Sequence, residues 1–64
     1  MKQTGFAVLK GQDGNTIRIN TKYILGYTYD ERQDKTLIFF VGMQDAVYYP
    51  GDQRHEISLA ISSS

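Results

Sequence analysis

Apolar and polar positions alternate along most of this chain, and apolar residues are densest in Thr36-Leu37-Ile38-Phe39-Phe40-Val41. That run consists of β-branched, aromatic and leucine residues, which suit a pleated, half-buried surface. Both of its alternation sets are apolar: Leu37, Phe39 and Val41 on one face, Ile38 and Phe40 on the other. A strand apolar on both faces is normally covered on both, so Thr36 to Val41 is expected to be the central strand. Leu37, Phe39 and Val41 are assigned to the internal core. Ile38 and Phe40 are assigned to an interface or to the space beneath a terminal helix.

Four further strands follow from the same reasoning. Phe6 to Lys10 alternates Phe6 and Val8 against Ala7 and Leu9. Gly11 to Asn15 is dense in turn formers, and Asp13-Gly14 is a strong hairpin signal. Thr16 to Asn20 alternates cleanly, with Ile17 and Ile19 directed at the core, so the first two strands form an antiparallel hairpin. Tyr23 to Tyr29 is a third strand, with Tyr23, Leu25, Tyr27 and Tyr29 on one face and Ile24, Gly26 and Thr28 on the other. Gly26 in mid-strand permits a bulge, a bend or the close approach of another backbone. Asp30 to Lys35 is a charged hairpin loop. Ala46 to Tyr49 is the fifth strand, ended by Pro50-Gly51. In the tail, Asp52 can cap a helix, and Ile57, Ala60 and Ile61 have helical spacing. His55, Ile57, Leu59 and Ile61 also alternate. The pattern favours a short helix over a sixth strand.

Five short strands joined by tight loops and followed by a helix predict a mainly β fold. Its expected form is a five-stranded antiparallel SH3-like barrel or bent sheet with a short C-terminal helix. One domain spans residues 1–64, with 1–4 and 62–64 expected to fray. The order of signals is Val8-Leu9-Lys10-Gly11, Ile19-Asn20 with Tyr23-Ile24, Thr36 to Phe40, Gly42, Val47, and Glu56-Ile57 with Ile61. Over about residues 6 to 61 it resembles the short FlbD-type proteins of bacterial flagellar operons. The same order also resembles the β-rich LytTR DNA-binding domains, which read DNA through loops, although the basic loops of such a reader are missing. Neither resemblance implies an active site.

Composition narrows the partners. A 64-residue chain buries a small core and usually needs a disulfide, a metal or oligomerisation. There is no cysteine, and the single histidine, His55, makes a structural zinc site a poor fit. No cofactor is expected, and oligomerisation remains as the support. Seven basic and seven acidic residues cancel, which weakens a nucleic-acid reading and does not oppose self-association. No apolar run is long enough for a signal peptide or a membrane span, so a soluble cytoplasmic setting is expected.

The sequence carries no H-E-x-x-H, no phosphate-binding glycine loop before a helix and no G-x-S-x-G. His55 and Glu56, adjacent on a helix, diverge. No catalytic residue is assigned, and His55 is expected on the surface of the first helical turn. Five tyrosines in so short a chain point instead to contact surfaces, because tyrosine joins a large apolar body to a polar tip. The candidate binding residues are Arg18, Tyr27, Tyr29, Tyr48, Tyr49 and Arg54. The candidate oligomer interface is Ile24, Ile38 and Phe40. The expected function is a non-catalytic binding and assembly module, most simply a dimer, that engages a protein partner or a small ligand. The alternative is a nucleotide or nucleic-acid binder using Tyr and Arg.

Overall fold

The computed structural model describes residues 5–62. Five strands and one helix follow in chain order: β1 Phe6–Lys10, β2 Thr16–Asn20, β3 Ile24–Asp30, β4 Lys35–Phe40, β5 Val47–Pro50 and α1 Arg54–Ser62. The ends expected to fray lie outside the described residues, except Ser62, which closes α1. The strands form two antiparallel sheets, β1-β2 and β3-β4-β5, and no closed barrel is present among the described residues. No described helix is long and apolar enough to cross a membrane.

The first hairpin forms where the sequence places it. Gly14 takes a positive φ of 87° in the turn, and the Gly11 amide donates to Asn15 O at 2.7 Å. Asp13 Oδ1 accepts from the Asn15 amide at 3.1 Å, the local bond that makes aspartate a turn former. Alternation then places Ala7, Leu9 and Ile19 in the core. Asn20 caps a single 3-10 turn, Thr21–Tyr23, by accepting from the Lys22 amide, so Tyr23 belongs to that turn and not to β3.

The second sheet reverses one expectation. Ile38 is 0% exposed and Thr36 is equally buried, whereas Phe39 is 44% exposed and Val41 53%. The inward set of β4 is therefore Thr36, Ile38 and Phe40, and the assignment of Leu37, Phe39 and Val41 to the core is corrected. The proposed interface of Ile24, Ile38 and Phe40 is corrected with it: Ile38 is core, and Ile24 and Phe40 pack against that core. The cause on β3 is a bulge. Ile24 pairs with Phe40 and Gly26 with Phe39, so Leu25 is the extra residue between them. It breaks the single face expected for Tyr23, Leu25, Tyr27 and Tyr29. Tyr27 follows Ile24 onto the core side, while Leu25 is 71% exposed.

The tail resolves as a helix. Its stripe is narrow: Ile57 is fully buried and Ala60 partly so, while Leu59 and Ile61 stay exposed. The helix packs mainly on β1. Two side chains fix the approach to α1. Gln53 acts like a strand residue, accepting from the Lys10 amide through Oε1 at 2.8 Å and donating from Nε2 to Lys10 O at 3.0 Å. The buried Thr36 hydroxyl donates to Gly51 O at 2.7 Å and accepts from the Gln53 amide at 2.8 Å, fixing the turn that leads into α1.

Candidate interaction surface

Among the described residues, the exposed side chains of two regions bear on the candidate residues. The first is a groove of about 470 Å³ at the start of α1, lined by Tyr27, Asp52, Arg54, His55 and Ser58. Asp52 Oδ1 accepts from the Arg54 amide at 3.2 Å, the bond expected of a residue that opens a helix. Its carboxylate also takes a bidentate fork from Arg54, Nε to Oδ1 at 2.9 Å and Nη2 to Oδ2 at 2.7 Å. The guanidinium lies 4.9 Å from the centre of the Tyr29 ring. Arg54 hydrogen bonding holds the Asp52 carboxyl below its ordinary value, and the same bond raises Arg54. His55 is exposed in the first helical turn. Among the described residues, no group of three His, Cys, Asp or Glu side chains could hold a metal ion.

Tyr29 lies under the Arg54 guanidinium beside the groove. Its hydroxyl donates to Asp34 Oδ1. That bond, with lesser contributions from desolvation and nearby carboxylates, pushes its pKa up to about 12. The folded value lies above the unfolded one, so the contribution is complete below the ordinary tyrosine range and is lost as pH rises through about 12. The ring resonances of Tyr29, followed by NMR, are expected to titrate near pH 12. Asp34→Gly, which suits the positive φ of 52° there, is expected to return the midpoint towards the ordinary tyrosine value of 10.0.

The second region is the outer face of β3-β4-β5. Register places Gly26 beside Phe39, Thr28 beside Leu37, and Leu37 beside Tyr48. The Val41 amide donates to Tyr23 O at 2.8 Å, which carries the same face one step further. Leu25, Phe39, Val41 and Tyr48 are all exposed. Large contiguous apolar patches are uncommon on monomers. The charged residues in its paired rows are Asp30 and Lys35, cross-strand neighbours at one end. Lys35 Nζ lies 4.5 Å from the centre of the Tyr48 ring.

The structure brings Tyr27, Tyr29 and Arg54 together and separates the other candidates. Tyr49 is core at 8% exposure, and burial raises its pKa. Tyr48 lies on the outer face, and Arg18 sits in the other sheet, 4.9 Å over Phe6. The sequence reading missed Leu37 and Phe39 as surface. A signal was present: Lys35, a charge, shares their alternation. Comparison with protein-family models, curated proteins and solved structures finds no match.

Proposed function

We propose that this chain is a non-catalytic binding and assembly module, a small cytoplasmic β domain that self-associates and engages a protein partner or a small ligand. Kinship with the FlbD-type proteins belongs to the same proposal. The observation that carries it is the outer face of β3-β4-β5, an apolar surface with its charges confined to one end. The buried hydrophobic set supports it too. Ala7, Leu9, Ile19, Ile38, Tyr49 and Ile57 form a small core, and chains of this size commonly draw further stability from association.

The alternative, a nucleotide or nucleic-acid binder using Tyr and Arg, has less behind it. The tyrosine ring that would stack a base already carries Arg54, and Arg54 already holds Asp52. A phosphate would have to displace a bidentate carboxylate.

Sedimentation velocity across low to high micromolar concentration tests the leading reading. The expected result is a weight-average mass that rises from one chain towards two, a twofold dimer being the simplest closed form. A single-chain mass throughout that range would overturn self-association. Binding to oligonucleotides that weakens steeply with salt would favour the alternative.

A further inference from the structure

Gly26 stands in mid-strand where its own chain makes no demand for glycine. Its φ is not among the positive values. A Cβ placed there would meet nothing within 4 Å. The bulge between Ile24 and Gly26 does not need it either, since only the left-handed form of bulge calls for glycine. Glycine inside a strand weakens it, and where no bend requires it, close approach of another backbone or group is the remaining reason. What Gly26 leaves is open space on the outer face, a strand position with no side chain. Directly across the ladder stands Phe39, a ring nearly half exposed. A projecting ring and a position without a side chain therefore lie side by side on one surface. Twofold symmetry matches such a pair to itself, because residue i of one copy meets residue j of the other and the reverse holds equally.

We infer that a second copy of this chain docks face to face on β3-β4-β5, each Phe39 ring seated over the bare backbone of Gly26 in the other copy. The inference rests on the self-association reading and goes beyond it by naming the occupant and the central contact. Two further observations favour a second copy over a foreign partner. The centre of the face is uncharged, while Asp30 and Lys35 at its rim have opposite signs. A copy brings the same pair, whereas a strongly acidic or basic partner would find no match. The exposed parts of Tyr23, Leu25, Phe39, Val41 and Tyr48 amount to roughly 500 Å² per copy, the larger part of the ~800 Å² per partner of a stable interface.

Gly26→Val separates folding from docking. The added side chain enters open space in the single chain, and a β-branched residue suits a strand. The variant is expected to keep the wild-type circular dichroism and to melt no lower at dilute concentration. A side chain standing where the partner's ring would lie is expected to weaken the dimer about 10- to 100-fold in sedimentation equilibrium. In a mixture of isotope-labelled and unlabelled wild-type chains, NOEs are expected between Phe39 ring protons of one copy and Gly26 Hα of the other. This measurement decides the matter even if the variant fails to fold. A dimer unaffected by Gly26→Val, with no Phe39–Gly26 NOE between chains, overturns this contact and leaves self-association standing. A wild-type chain that stays monomeric overturns both.

Discussion

Thr36→Val is expected to lower the unfolding free energy by about 2–4 kcal/mol, although it exchanges a hydroxyl for a methyl group of nearly the same shape. Thr36 is fully buried at the inner end of β4. Its hydroxyl accepts from the Gln53 amide and donates to Gly51 O. Valine fills the volume and satisfies neither. Each orphaned group costs about 1–3 kcal/mol of unrecovered desolvation. A domain of this length has a total stability of roughly 3–10 kcal/mol, so the loss is a large share of it. The melting temperature is expected to fall by 10 °C or more, at about 4–8 °C per kcal/mol. Thr36→Ser, which keeps the hydroxyl, is the control and is expected to recover most of the loss. Equal melting of the valine variant and wild type would show that water replaces both bonds.

Ile38→Ala is expected to cost about 2–5 kcal/mol, the range for a large apolar side chain removed from a packed core. Its neighbour Phe39→Ala is expected to cost less than about 1 kcal/mol at concentrations where the chain is monomeric, because much of the ring is already in water. The contrast tests the orientation of β4, since adjacent residues of a strand point to opposite faces. Urea melts of the two variants measure it directly. Equal costs, or a larger cost at Phe39, would reverse the assignment of faces.

How far the sequence discloses the fold varies with the kind of pattern. Thr16 to Asn20 alternates apolar with polar, so its inward residues are readable at once, and Asp13-Gly14 marks the hairpin by its own backbone chemistry. The helix at 54–62 follows from Asp52 and the spacing of Ile57 and Ala60. β4 is different. Both of its alternation sets are apolar, so hydrophobicity cannot distinguish inside from outside. The deciding residue is Lys35, which belongs to the strand and shares the parity of Leu37 and Phe39. Starting the strand at Thr36 hides it. On β3, Gly26 announces an irregularity without saying which neighbour it displaces; Leu25 is displaced because Ile24 and Tyr27 both pack inward.

The candidate site was legible only in part. Residue type singles out Tyr27, Tyr29 and Arg54, which meet at the start of α1. The partnership of Arg54 with Asp52 depends on how Gly51 and Gln53 bend the chain, which no local pattern states. Tyr49 was named for the same reasons as Tyr48, yet strand parity buries one and exposes the other.

The Gln53 clamp has a kinetic consequence. Every ladder in the fold joins strands that are neighbours in sequence, so each is a hairpin that can form from its own turn within microseconds. The Gln53–Lys10 contact instead spans 43 positions, and the search for it carries the entropy of closing that loop. Folding is then expected to be the assembly of local pieces followed by their docking, in which α1 packs on β1 and the Gln53–Lys10 and Gln12–Tyr48 bonds close. Slower refolding of Gln53→Ala at an unchanged unfolding rate would show that the clamp forms in the slow step.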